Sequence, residues 1–303
     1  MAEYESCKIV EQTSNLVLDN MTKPNSPMEP IKQPIKRVIS HPWFERLARL
    51  GYAAKGLVYF VVGLLAMQAA IGSGGRTTDT SGALQAIVTQ PFGKFLLSIV
   101  TLGIIGYVLW RLVQAFFDPE NHQQSINAKR ITRRIGYACS AIGYIGLALT
   151  AVKLIMGSGG GDSETIEDWT IYFLAQPFGR WLVALGGVVV IGVGISFLFQ
   201  AYKAKFRREL KLHEMTHNQR TWALRLGRFG IAARGFVFGI IGIFLILAAI
   251  QIDGSEARGL GGALTVLAQQ PFGSWILGTV ALGLIAYGIY SVIQARYRRI
   301  ANL

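Results

Sequence analysis

The sequence predicts an all-α integral membrane protein whose six transmembrane helices form three repeated two-helix hairpins in a pseudo-threefold arrangement. Composition is the first of three observations behind this. With 51% hydrophobic and only 16% charged residues and a mean hydropathy of +0.39, the chain is too apolar for a typical soluble protein of its 303 residues. The second is a set of six apolar runs, Leu50–Ile71, Phe95–Phe117, Ile135–Met156, Trp181–Tyr202, Phe229–Ile252 and Trp275–Ala295. Each is close to the ~20 residues needed to cross a ~30 Å hydrocarbon core, and charges gather at their ends. The third is exact self-similarity: Gln-Pro-Phe-Gly occurs at Gln90–Gly93, Gln176–Gly179 and Gln270–Gly273.

Two further markers keep step with that tetrapeptide. A Gln-Ala pair begins 24 residues after each corner glutamine, at Gln114, Gln200 and Gln294, and an Arg stands two residues before a Gly at Arg49/Gly51, Arg134/Gly136 and Arg228/Gly230. The extra length of the second period falls in the charged stretch Lys203–Arg225, where insertion costs least. These markers divide the chain into a tail over 1–41 and membrane repeats over 42–118, 126–205 and 217–300.

Taken in order, the tail carries Pro24, Pro27, Pro30 and Pro34 and too few apolar residues to bury a core, which predicts a disordered segment without a cleavable secretory signal. Pro42, Trp43, Phe44, Leu47 and Leu50 predict a short interfacial helix feeding the first span. Glycine-rich turns follow spans one, three and five, and Gly82-Ala83-Leu84 and Gly262-Ala263-Leu264 predict a short helix lying along the outer face. At each Gln-Pro-Phe-Gly, Pro suits the first turn of a helix and Gln has amide groups to offer the exposed helix start. The motif therefore predicts a corner before spans two, four and six. Alternatively, Gln90, Gln176 and Gln270 line a common outer vestibule.

Charge sets the expected orientation. All but five of the 30 Lys and Arg residues lie toward the ends shared by the termini and the even-to-odd connections. The positive-inside rule then places both termini in the cytoplasm of a prokaryote, across the cytoplasmic or thylakoid membrane. A net charge of +13 would also suit nucleic acid, but these basic residues border apolar spans, and anionic lipid is the more economical partner.

Ionisable groups inside spans are functional suspects. Lys55 and Arg234 each stand four residues after a repeat glycine, with Ser140 at the middle position. Either the two snorkel to the headgroups, or they turn inward and form, with Ser140, a basic ring suited to anions. Arg111, beside Trp110 near the end of span two, is not repeated. Glycines recur along the spans, which permits tight packing of the six helices or of a second copy.

His213-Glu214-Met215-Thr216-His217 matches the zinc-protease pattern HExxH. Thr216 and Gln219, however, read as a capping box that breaks the helix between the two histidines, and no third ligand follows nearby. His41, His122 or Glu209 would have to complete a site through tertiary folding. Cys7 and Cys139 do not suit a framework disulfide. No nucleophile, base or phosphate loop appears, so the expectation is no enzyme activity, no cofactor and no metal.

The stretches Leu50-Gly51-Tyr52-Ala53-Ala54-Lys55-Gly56 and Arg228-Phe229-Gly230-Ile231-Ala232-Ala233-Arg234-Gly235, with the three corners, resemble the uncharacterised bacterial membrane-protein family known as the domain-of-unknown-function family numbered 1206. The resemblance spans about residues 42 to 300. It implies a bacterial membrane location and no activity. The middle repeat departs from it, with Ser140 and Ala141 in place of the basic residue and glycine. Two functions are compatible with these features: a non-enzymatic scaffold or accessory subunit that binds lipid, membrane proteins or its own kind, and a small-solute or anion pathway along the pseudo-threefold axis.

Overall fold

The computed structural model describes residues 42–75, 77–117, 128–157 and 166–298. The predicted tail, Cys7, His41, His122 and residues 158–165 lie outside them. Residues Glu45–Asn302 form one compact unit, and Pro42–Phe44 are described only as the first turn of its first helix.

Nine α-helices occur among the described residues, three per repeat: α1 (Pro42–Ala70), α2 (Thr80–Val88), α3 (Gly93–Phe117), α4 (Ala128–Ile155), α5 (Ile166–Leu174), α6 (Gly179–Lys203), α7 (His217–Gln251), α8 (Leu260–Gln269) and α9 (Gly273–Tyr297). The long ones, α1, α3, α4, α6, α7 and α9, are long and apolar enough to cross a membrane. No strand is present among the described residues, only an isolated bridge between Leu210 and Arg298. The predicted interfacial helix is not separate, because Pro42 opens α1, which runs unbroken into the span. Short helices lie before all three corners. In α2 the side chain of Asp79 caps the start by accepting from the Gly82 amide at 2.8 Å. α5 was not predicted, since the middle repeat lacks the Gly-Ala-Leu marker.

The corners differ in detail from the expectation. The amides of Gly93, Gly179 and Gly273 donate to the carbonyls of Gln90, Gln176 and Gln270 at 2.7, 2.9 and 2.7 Å. With Pro at the second position and φ of 61°, 65° and 60° at Phe92, Phe178 and Phe272, each corner is a type II turn. Proline thus lies in the turn, and the helix begins at the glycine. Glutamine contributes its backbone carbonyl rather than a side-chain cap. A Cβ on Gly93, Gly179 or Gly273 would strike the last carbonyls of the preceding short helix, so only glycine fits there. The three phenylalanines accept a left-handed backbone, at a cost of about 1 kcal/mol each, with side chains 80–87% exposed.

At the other, basic end, the Arg-x-Gly and Gln-Ala markers meet. Arg134 donates to the carbonyls of Ala115 and Phe116, both at 2.6 Å, at the last turn of α3. Arg49 donates to the carbonyl of Ala295 at 3.0 Å and to that of Arg296, at the last turn of α9. Each arginine therefore caps the helix end of the preceding repeat, with repeat 1 following repeat 3, and offsets the partial negative charge of unpaired carbonyls. The seams between repeats follow the same cyclic order. A Cβ on Gly56 of α1 would lie 2.7 Å from the Gly288 carbonyl of α9, and one on Gly235 of α7 would lie 2.8 Å from the Gly194 carbonyl of α6. Seven residues further on, Gly63 meets Ala281 and Gly242 meets Gly187 in the same way. The third seam, between α3 and α4, has Val108 and Ala141 at the positions of the first pair.

Within hairpins the pattern breaks. α1 lies against α3 at Gly51 and Tyr107, and α7 against α9 at Gly230 and Tyr287. In the middle hairpin, no atom comes within 4 Å of a Cβ built on Gly136, Gly143 or Gly146 of α4, or on Gly186 or Gly192 of α6. Five of the six seams are closed, and the α4/α6 seam stands open.

The capping box is present: Thr216 Oγ1 accepts from the Gln219 amide at 3.4 Å and Gln219 Oε1 from the Thr216 amide at 3.1 Å. His213 sits in a separate 3-10 turn, Leu212–Glu214, and His217 opens α7. The two histidines therefore share no helix.

Candidate functional site

Two glycines build the site. A Cβ on Gly51 would lie 2.6 Å from the Tyr107 backbone nitrogen, and one on Gly230 would lie 2.5 Å from that of Tyr287. The bare backbones let each tyrosine close over the basic residue four positions on, one helical turn along the same face. Lys55 Nζ donates to the Tyr107 hydroxyl at 3.2 Å, and Arg234 Nη1 donates to the Tyr287 hydroxyl at 2.6 Å. The two halves then join. Lys55 Nζ lies 5.1 Å from the centre of the Tyr107 ring and 5.0 Å from that of Tyr287. The Arg234 guanidinium also lies 5.0 Å from Tyr287 and is walled by Tyr59, Phe197 and Phe238 at 5.3, 4.8 and 5.1 Å.

Arg111 enters from α3. Its Nε donates to the Tyr107 hydroxyl at 2.8 Å and its Nη1 to Gln114 Oε1 at 3.0 Å. Edge-to-face contacts of Tyr52 with Tyr107, Tyr59 with Tyr287 and Tyr107 with Tyr144 tie the rings together. Nearer the basic end, Arg298 stands 4.9 Å from the Tyr52 ring and pairs with Glu209 at 2.8 Å.

The charge balance is unusual. Lys55 is only 3% exposed, and among the described residues neither Lys55, Arg111 nor Arg234 has a carboxylate partner. Tyrosine hydroxyls and ring faces stand in for one. Each cation–π contact is worth about 0.5–2 kcal/mol, which offsets only part of the cost of holding charge in a low-dielectric interior. Two polar atoms at the same place, the Tyr144 hydroxyl and Arg234 Nε, are buried with no hydrogen-bond partner. An anion with several acceptor oxygens matches this set of donors. Toward the corners the interior turns apolar, with Val62, Ala66, Leu97, Val100, Leu277 and Val280 all buried.

The structure thus brings Lys55 and Arg234 together, inward rather than snorkelling. The third cation of the cluster is Arg111 and not Ser140, which occupies the equivalent position on α4, partly buried and without charge. Gln90, Gln176 and Gln270 are exposed at their corners. Among the described residues no group of His, Cys, Asp and Glu has the makings of a metal site. Residue-by-residue reading of the sequence passed over the tyrosines. Their signal was there in the repeat register: Tyr59, Tyr144 and Phe238 each follow a repeat glycine by eight residues, and Tyr107 and Tyr287 follow their corner glutamines by 17, where the middle repeat has Val193.

The family model for a Domain of Unknown Function (DUF1206) matches the chain three times, at residues 50–118, 135–204 and 229–298. The chain is 41% identical over 272 residues to "Uncharacterized protein YxxB" of Bacillus subtilis (strain 168), covering 89% of this chain and 95% of that protein. It is also similar to two proteins of Corynebacterium glutamicum, from strains ATCC 13032 and R, each named "Putative manganese efflux pump MntP". These align at 24% and 23% identity over 117 residues, 35% of this chain and 62% of theirs. No solved structure matches the chain. Three matched segments, one for each hairpin, and a relative aligned over nearly its whole length show that this membrane protein belongs to the DUF1206 family.

Proposed function

We propose that the chain is a non-enzymatic accessory or scaffold protein of a prokaryotic membrane that binds acidic lipid headgroups of the cytoplasmic leaflet at its basic–tyrosine cluster. The observation that carries this reading is the convergence of Lys55, Arg111 and Arg234 without a carboxylate among the described residues. Their level supports it. The cluster lies toward the basic end, which the positive-inside rule assigns to the cytoplasm, where the anionic surface potential concentrates such headgroups at the membrane.

Transport is the second reading, and the inward position of Lys55 and Arg234 favours an anion as cargo. The apolar packing of Val62, Ala66, Leu97 and Val100 beyond the cluster speaks for binding over passage. The partial similarity to proteins named as manganese efflux pumps points to a divalent cation instead. Three converging positive charges would repel such an ion.

Native mass spectrometry of the protein extracted from vesicles of equal phosphatidylglycerol and phosphatidylcholine tests the binding reading. Phosphatidylglycerol should be retained several-fold over phosphatidylcholine, and Lys55→Gln with Arg234→Gln should abolish the preference. Equal retention of both lipids by the unmodified chain would overturn it. Anion flux into proteoliposomes that disappears in Lys55→Ala and Arg234→Ala would establish the transport reading in its place.

A further inference from the structure

We propose that the open seam between α4 and α6 is a lateral groove that takes one acyl chain of an anionic phospholipid, whose phosphate closes on Arg234 and the Tyr144 hydroxyl. This rests on the lipid-binding reading and gives it a site.

The seam is open for reasons visible in the residues. In the flanking hairpins the spans meet where Ala54 faces Gly103 and where Ala233 faces Gly283. The repeat register places Cys139 and Val189 at those positions in the middle hairpin. The larger pair does not fit the same approach, and both side chains are exposed, Val189 at 56%. Val193 stands where Tyr107 and Tyr287 stand in the flanking hairpins, so the bulk that fills those two seams is missing from the third. The seam faces carry no charge: Cys139, Gly143 and Gly146 on α4 and Leu185 and Val189 on α6 are all exposed.

Its inner end is polar. The Arg234 guanidinium lies 4.8 Å from Phe197 of α6, and the Tyr144 ring of α4 packs 4.6 Å from the Tyr107 ring, so each helix of the seam brings an aromatic side chain to the cluster. The two polar atoms of the cluster without a hydrogen-bond partner, Arg234 Nε and the Tyr144 hydroxyl, are the donors that a ligand entering from the side would satisfy. Both are donors to an anionic oxygen. An apolar trough open to the bilayer and ending at a cation fits one molecule of stated chemistry, a lipid with an anionic headgroup. A transmembrane helix would fill the trough but leave both donors unsatisfied.

The test uses the purified full chain with dioleoyl phosphatidylglycerol as probe and dioleoyl phosphatidylcholine as control. Gly143→Leu and Gly192→Leu place side chains into the seam from opposite walls, where nothing now lies within 4 Å of either Cβ. Each should cut retained phosphatidylglycerol about tenfold, and Tyr144→Phe should cut it several-fold. A competition on the unmodified chain needs no variant to fold: excess glycerophosphoglycerol or inorganic phosphate should not displace the lipid. Unchanged retention in both leucine variants, or displacement by either soluble phosphate, overturns the groove. If Arg234→Gln still releases the lipid in that case, the headgroup reading stands alone. If the unmodified chain shows no preference for phosphatidylglycerol, both readings fall. Disulfide-linked dimers through Cys139 in a Cys7→Ser background would assign the seam to a second copy and also overturn it.

Discussion

The middle hairpin and its two neighbours share one plan and differ in how tightly it closes. In α1 and α9 the most apolar window is 56% buried within the protein, whereas in α4 and α6 it is 17% buried. All three hairpins carry the corner, the short helix before it and the Gln-Ala end. What separates them is a handful of residues at the crossing: Ala54, Gly103 and Tyr107 against Cys139, Val189 and Val193. Apolar character alone does not hold helices together in lipid, where the surrounding chains are equally apolar. Close approach and polar contacts do, and the middle hairpin has lost both at one seam while its outward seams to α3 and α7 remain closed. The repeat architecture therefore fixes the topology, and individual crossing residues decide which seams shut.

Substitutions at equivalent positions sharpen this contrast. The largest effect is expected at the closed crossings, because Gly230→Leu would drive a side chain into the backbone of Tyr287. It should lower the unfolding free energy by about 3 kcal/mol in a detergent titration followed by tryptophan fluorescence, whereas Gly136→Leu should leave it nearly unchanged. Equal losses at both positions would mean that the middle seam is closed in the membrane.

The tyrosines give a smaller difference. Tyr287→Phe removes the acceptor of a charged hydrogen bond and should cost about 1.5–3 kcal/mol. Tyr144→Phe removes a hydroxyl with no partner in the protein and should be neutral in lipid-free detergent. A loss at Tyr144 equal to that at Tyr287 would show that its hydroxyl is already bonded within the bundle.

Smallest of all is the clasp at the basic end. Arg134→Ala, which frees the carbonyls of Ala115 and Phe116, should cost roughly 0.5–1 kcal/mol, and Arg49→Ala about the same. The same unfolding titration would read both, and a much larger effect at Arg49 alone would mean that its pairing with Glu45 matters more than the cap.

Much of this was legible in the order of residues. Six apolar runs of spanning length and a tetrapeptide used three times dictate three hairpins, because in a bilayer every backbone polar group must be satisfied within its own helix. The capping box at Thr216 and Gln219 is likewise local, and it parts His213 from His217 as the sequence predicts. The corners were only half legible. Their position followed from the motif, but a phenylalanine at positive φ is not what local preference selects, so the turn type emerged only when the carbonyls of α2, α5 and α8 were seen crowding the glycine.

By itself, then, the sequence determined the number of spans, their pairing into repeats and the residues that carry charge within them. Tertiary structure decided the rest, since which face of a helix is turned inward depends on partners distant in the chain. Lys55 and Arg234 are 179 residues apart, and only the packing of α9 against α1 and α7 brings both within 5.0 Å of the Tyr287 ring centre. The open seam is of the same kind. Cys139 and Val189 read as ordinary residues of two spans until the paired positions Ala54 with Gly103 and Ala233 with Gly283 show how little room a closed crossing leaves.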